Sequence, residues 1–339
     1  MDFFSVLDSI LEELGLLEIA AAILGVGGVY YLAFRKRLRS VFDPLAVTTA
    51  KVRALGLASS GGQPALEETS TCQLNPCNPM PRESASSGPP QGGRRVGAAC
   101  LPTPTISVLT VVRNGERTLR EAIDSVIAQL GDDIEYVIID GASTDCTVNI
   151  ITQYDGQLAY WVSEPDRGIY DAMNKALAVA CGDWVIFLGA DDELKLSLQA
   201  VARELTDPLA VYYGDVEITA TGRISGGKFN RYRLMQENIC HQAIFYPRSV
   251  YQTKQYDTDA GMLADHKYNI ELWGSGTRFI HLPRVISWFN DVGASSGNQA
   301  HFETIKLATI RSSFGLLFYA LKLVRTAVVH LVKGRRESA

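Results

Sequence analysis

No Gly-x-Gly-x-x-Gly follows the first apolar, β-branched run of this chain, which disfavours a nicotinamide enzyme. A basic excess is also missing. Against 37 Asp and Glu stand 32 Lys and Arg, a formal charge of −5 that gives no footprint for nucleic acid. The six cysteines (Cys72, Cys77, Cys100, Cys146, Cys181 and Cys240) have no paired metal spacing. Scattered through 339 residues, they read as a reduced, cytosolic setting and not as a disulfide scaffold. From residue 43 to about 103 there is no periodic apolar face, and Ser84 to Gly93 is especially rich in Pro, Gly and Ser, so a linker is expected.

Among apolar runs, Leu14 to Phe34 approaches the ~20 residues that span a bilayer, interrupted by Glu18. Arg35-Lys36-Arg37-Leu38-Arg39 follows, which by the positive-inside rule leaves the rest of the chain in the cytoplasm. An acidic lead and a basic cluster where cleavage would fall make it a poor signal peptide. A short helix docked on protein is the alternative. With 47% hydrophobic residues the chain can bury a large core and leave tails over. The expected organisation is a membrane-associated helical segment at 1–40, a linker at 41–103, one catalytic domain at 104–298 and a helical tail at 299–339. In the tail, Phe314 to Val332 mixes apolar residues with Lys322, Arg325 and His330, which suits a membrane-surface helix or one packed on the domain.

Ile106 to Val112 is an apolar, β-branched run and reads as a strand. A helix opens after it at the capping-box pattern Thr118-Leu119-Arg120-Glu121, with Leu119, Ala122, Ile123, Val126, Ile127 and Leu130 on its buried face. Glu135 to Ile139 is the next strand and ends in Asp140-Gly141-Ala142-Ser143-Thr144-Asp145. Asp166-Arg167-Gly168 forms a turn. The helix beyond it places Ile169, Ala172, Met173, Ala176, Leu177 and Ala180 on one side and Tyr170, Asp171, Asn174 and Lys175 on the other. Asp183 to Leu188 reads as a buried strand, closed by Gly189-Ala190-Asp191-Asp192. The alternation predicts an α/β fold with a mostly parallel central sheet, flanking helices and right-handed crossovers.

Parallel strands present their carboxyl ends on one edge, where ligands bind in open α/β sheets. Thr110 to Asn114, Asp140, and Asp191 with Asp192 should therefore converge. Two adjacent carboxylates at a strand end suit magnesium or manganese held partly by substrate phosphates. A lone carboxylate beside them suits ribose hydroxyls or a base N–H. Together they describe a nucleotide diphosphate with its metal. An Asp-Asp after a strand also fits a helix N-cap and its neighbour.

Ile106 to Asn114, Val137 to Thr147, Ser163 to Lys175 and Phe187 to Asp192 resemble family 2 glycosyltransferases with the GT-A fold, a nucleotide-diphospho-sugar transferase architecture. The nearest likeness is to bacterial enzymes that build surface polysaccharides. The resemblance covers roughly residues 104 to 298. It implies that Asp140 recognises the base and that Thr110, Val112 and Asn114 line the nucleotide pocket. Asp166, Gly168, Asp171, Asn174, Lys175 and Asp191 join them around the nucleotide sugar. Asp191 and Asp192 would hold a divalent cation, Mn2+ or Mg2+, although the first acid of the usual Asp-x-Asp is absent from Gly189-Ala190-Asp191-Asp192, which leaves open which of the two carboxylates meets the metal and which the ribose. Met262 to Trp273 resembles the segment that supplies the catalytic base, which would be Asp265; as the opener of a helix it also fits an N-cap. His241 and Gln242 match a strand near the acceptor, while Arg231 and Arg233 could meet an anionic acceptor or stay solvated. Gly293 to Ser296 resembles a loop that closes over the donor.

The implied activity is inverting transfer of a sugar from a UDP- or GDP-sugar to a hydroxyl of a glycan acceptor, lipid-linked or free. The expected location is the inner membrane, with the catalytic domain facing the cytoplasm. Two other classes are weighed. A sugar-phosphate nucleotidyltransferase needs a Gly-rich, basic loop after the first strand, where Val111-Val112-Arg113-Asn114-Gly115 offers one Arg and one Gly. A non-catalytic nucleotide-sugar binder would not need the set Asp140, Asp191, Asp192 and Asp265.

Overall fold

The computed structural model describes residues 88–96, 103–131, 133–290 and 299–336. The run Leu14 to Phe34, the linker as far as residue 87 and the loop Gly293 to Ser296 lie outside the described residues. Among the described residues, no helix is long and apolar enough to cross a membrane.

The first half alternates as expected: β1 (Gln91–Gly92), β2 (Ile106–Val112), α1 (Leu119–Ile127), β3 (Ile134–Asp140), α2 (Thr147–Gln153), β4 (Tyr160–Ser163), α3 (Ile169–Val179) and β5 (Trp184–Phe187). Strands β4, β3, β2 and β5 lie side by side and parallel. Every residue of β3 is buried, as a strand covered on both faces requires. Leu119, Ala122, Ile123 and Val126 form the buried stripe of α1. The capping box at Thr118 is not formed: its side chain makes no cap bond, and the first turn is tied through backbone bonds from Thr118 and Leu119 to the Gly115 carbonyl.

The second half departs from the parallel expectation. It comprises β6 (Glu193–Leu194), α4 (Leu198–Ala202), β7 (Val211–Ile218), β8 (Arg223–Ser225), α5 (Arg231–Leu234), β9 (Ile244–Pro247), α6 (Arg248–Tyr251), α7 (Ala264–Gly274) and β10 (Phe279–Phe289). The sheet runs β1-β4-β3-β2-β5-β9-β7-β10-β6, with β8 on β7. Strand β9 is antiparallel to both β5 and β7. Its reversed direction matters for the site. The 3-10 turn that leads into it, His241–Ala243, therefore arrives at the edge where β5 ends.

Two boundaries differ from the sequence reading. Residues 88–96 fall inside the stretch expected to be linker, yet β1 pairs with β4, Gly93 donates to Asp155 Oδ1 at 2.8 Å and Arg95 lies 3.3 Å from Glu135. Helix α8 (Gln299–Phe314), expected in the tail, packs against α7 and buries Ile310 and Phe314. It belongs to the compact unit that runs to Tyr319, whereas Ala320 onward falls in a second unit. Helix α9 (Leu316–Arg336) follows α8 after Gly315, whose φ is 85°.

Candidate active site

The register sets Val112, Asp140 and Ser163 side by side at the carboxyl edge of β2, β3 and β4. Asp140 is fully buried. Its Oδ1 accepts from the Ser143 hydroxyl at 2.5 Å, and its Oδ2 accepts from the Ser143 N–H at 2.9 Å and the Ser163 hydroxyl at 2.5 Å. Thr110 is also fully buried, with its hydroxyl 3.0 Å from both Tyr136 Oη and the Leu188 carbonyl. Both were expected at the nucleotide pocket; their side chains are bonded to neighbours at the strand ends. Asn114, at φ 56°, stitches the loop after β2 to the loop after β3 by accepting from the Thr144 N–H at 2.8 Å and donating its own N–H to Ser143 at 2.7 Å.

Beyond β5 the two acids part company. Asp191 is exposed at the strand end. Asp192 is buried: its Oδ1 accepts from the Asn290 N–H at 2.9 Å and its Oδ2 from the Gln242 amide at 2.9 Å. Burial pushes the Asp192 carboxyl up from its ordinary range against those hydrogen bonds, and Asp191 beside it pushes the same way. Gly189 leaves room for both acids. A Cβ there would overlap Asp192 Oδ2 and sit 3.0 Å from Asp191 Oδ1, so the space is already taken by the carboxylates that follow. Of the two, Asp191 is the carboxylate open to solvent.

Asp265 lies in the first turn of α7 and is buried. Leu263, not Asp265, is the N-cap, so the capping alternative falls away. Asp265 Oδ1 receives Tyr170 Oη at 2.9 Å and the His266 N–H at 2.8 Å. Among the described residues Oδ2 receives one bond, from Asn238 Nδ2 at 2.7 Å, and it faces His241 Nδ1 at 3.8 Å. Burial raises the Asp265 carboxyl above its usual range, partly offset by His241 and Tyr170. The Cys240 thiol is pushed up to about 11 by burial and then by the charges of Asp265 and Asp192, which disfavours its thiolate.

His241 and Gln242 sit on one turn and reach different acids, Asp265 and Asp192. Asn174 joins α3 to the segment before α7 by donating to and accepting from the Tyr256 backbone, at 2.9 and 2.8 Å. Lys175 pairs with Glu164 at 2.8 Å, and Asp171 with Arg167 at 3.1 Å. Gly168, at φ 122°, is the N-cap of α3. Arg233 pairs with Glu237 and lies over Phe229, while Arg231 lies over Phe314. Asn238 and Asn290 were not singled out from sequence, since single amides in loops give no pattern. Tyr170 was visible only as part of a polar stripe.

Residues 107–262 match the family model described as glycosyl transferase family 2. A PGL/p-HBAD biosynthesis glycosyltransferase of Mycobacterium bovis is 33% identical over 229 residues, covering 64% of this chain and 88% of its own length. This chain belongs to glycosyl transferase family 2. An uncharacterized glycosyltransferase of Mycobacterium tuberculosis is 34% identical over 176 residues, 49% of this family 2 chain and 67% of its own length. Among solved structures, Staphylococcus aureus TarS 1-349 in complex with UDP-GlcNAc aligns with a TM-score of 0.53 at 16% identity, covering 66% of this chain and 71% of its own. That likeness carries the fold, which is GT-A. The family 2 transferase thus has its strand-end acids where the sheet edge put them.

Proposed function

We propose that this glycosyltransferase inverts the anomeric centre as it moves a sugar from a nucleotide-diphosphate donor to a hydroxyl of a glycan acceptor, lipid-linked or free, in surface-polysaccharide synthesis. One observation carries the reading. A single turn, His241-Gln242, links the acid pair at the end of β5 to the buried acid of α7. Donor-side and acceptor-side acids thereby share one site.

The acceptor oxygen bonds to the anomeric carbon as the bond from that carbon to the diphosphate oxygen breaks. The acceptor proton passes to Asp265 Oδ2, the oxygen with a single hydrogen bond. Tyr170 and Asn238 hold the carboxylate in place while it does so. Burial makes Asp265 a stronger base than a solvated carboxylate.

No group of three His, Cys, Asp or Glu able to hold a metal alone occurs among the described residues. One exposed carboxylate, Asp191, fits magnesium or manganese that takes its remaining ligands from water and diphosphate oxygens. Such a cation would neutralise charge on the departing diphosphate. The relatives named for PGL/p-HBAD biosynthesis, and TarS with UDP-GlcNAc, support a biosynthetic transfer from a nucleotide sugar.

Calorimetry of UDP- and GDP-sugars with manganese, and again with a chelator, tests the donor site. Binding of one of them that weakens in the chelator is the expected result. Equal affinity in both conditions would remove Asp191 as a cation ligand.

A further inference from the structure

Asp140 is poorly placed to read the base, because no part of it is exposed and three donors from Ser143 and Ser163 hold its carboxylate turned inward. The next position along β3 is Gly141. A Cβ on Gly141 would overlap Asp166 Oδ2 and sit 3.2 Å from Asp166 Cγ. The Asp166 carboxylate, carried in from the turn after β4, therefore fills the place where a side chain from the end of β3 would lie. Its Oδ1 accepts from the Gly168 N–H at 2.8 Å, while Oδ2 has no hydrogen-bond donor among the described residues. Arg113 Cβ comes within 3.5 Å of the same point.

Position along the edge decides what such an oxygen can reach. The loop after β5 carries Asp191, and β2 stands between β5 and β3. Two strand spacings are about 10 Å. A nucleoside diphosphate with its phosphates at the end of β5 thus places its base near the end of β3, over Asp166. We infer that Asp166, and not Asp140, is the residue that selects the nucleobase, by accepting an N–H from its pairing edge. The assignment rests on the donor reading above.

The chemistry restricts the base. Uracil offers N3–H, and guanine offers N1–H beside its amino group; cytosine N3 and adenine N1 present lone pairs there, which a carboxylate repels. Asp140 and Gly141 then become parts of the mount. Asp140 fixes the loop that ends in Ser143, and Gly141 leaves room for the incoming carboxylate.

The test measures binding of UDP, GDP, CDP and ADP, each with manganese, to the full chain and its variants by calorimetry, with a melting curve for each protein. The parent should prefer UDP or GDP to CDP. Asp166→Asn should weaken the preferred diphosphate by roughly 10–100-fold, the usual worth of a charge-assisted hydrogen bond, with CDP changed far less. Gly141→Ala should do the same by displacing the carboxylate. The double variant Gly141→Asp with Asp166→Ala returns a carboxylate to this place from the other strand, and should regain the preference.

The inference is overturned if Asp166→Asn keeps the parent ratio of preferred diphosphate to CDP. It is equally overturned if the double variant melts normally and stays unselective, or if Asp140→Asn loses the preference at an unchanged melting temperature. A parent chain that binds none of the four diphosphates defeats the donor reading itself, and this assignment with it. Loss of selectivity only in Asp166→Asn and Gly141→Ala separates the two cases.

Discussion

At the residue scale, the carboxylates of this site differ by surroundings more than by type. Asp191 meets solvent, Asp192 is clamped by two donors, and Asp265 keeps one lightly bonded oxygen. Asp265→Asn should leave donor binding intact and lower transfer by about 10²–10⁴-fold, the range for loss of a general base; single-turnover rates beside donor calorimetry measure both. Transfer at the parent rate would instead turn attention to Glu237, Asp259 or His241. The pH dependence has a definite sign. Burial raises the Asp265 pKa, so the base form is lost as pH falls through a value above the ordinary carboxylate range of about 4. The acid limb of the pH–rate profile should lie above that range and vanish in the variant. For stability the sign is opposite in sense. A carboxyl with a raised folded-state pKa favours the fold below its unfolded value and loses that contribution as pH rises through the folded one. Asp265 and Asp192 therefore both oppose folding at neutral pH, a cost that the hydrogen bonds around them lower without cancelling.

At the element scale, α3 and α7 set the geometry between the proposed donor and acceptor sides. Asn174 ties α3 to the segment before α7 through two hydrogen bonds to the Tyr256 backbone, and Tyr170 one turn earlier reaches Asp265 in α7. Asn174→Ala should destabilise the protein by about 1–3 kcal/mol, because it leaves a half-buried backbone pair unsatisfied. At about 2–4 °C per kcal/mol for a domain of this size, a melting curve resolves the change. Its kcat should fall further than its affinity for donor, since Asp265 loses its fixed distance. An unchanged melting temperature would mean that water replaces the bridge at no cost. The elements themselves were largely legible in the sequence: β2, β3 and β5 as β-branched runs, α1 and α3 as periodic stripes, and the acids at the strand ends. What escaped was relational. A strand's direction is not written in its residues, so β9 could not be seen to run against β5. Asp140 and Asp166 look alike as isolated acids. Only the serines that close on one and the glycine that admits the other distinguish them. Asp265 was found through its segment, but the α7 stripe around it is loose because it buries Asp265, His266 and Asn269 along with its apolar residues.

At the scale of the whole molecule, the described chain up to Tyr319 is one body, while the segment proposed to meet the membrane precedes it in sequence. Fractionation of the full chain beside a version beginning at Gly88 should place the first with membranes and the second in the supernatant, with donor binding equal in both. If both are in the supernatant, the anchor and the lipid-linked acceptor lose their support. The contacts that build the site join residues far apart along the chain: Gln242 to Asp192 across 50 positions, Tyr170 to Asp265 across 95, and Asn290 to Asp192 across 98. Such pairings form slowly, because loop closure must precede them. During synthesis the nascent chain can complete its parallel half early and still hold no working centre until Asn290 has emerged. After dilution from denaturant, donor binding should likewise return with the last kinetic phase, behind the signal from secondary structure. The enzyme stays silent until it is whole.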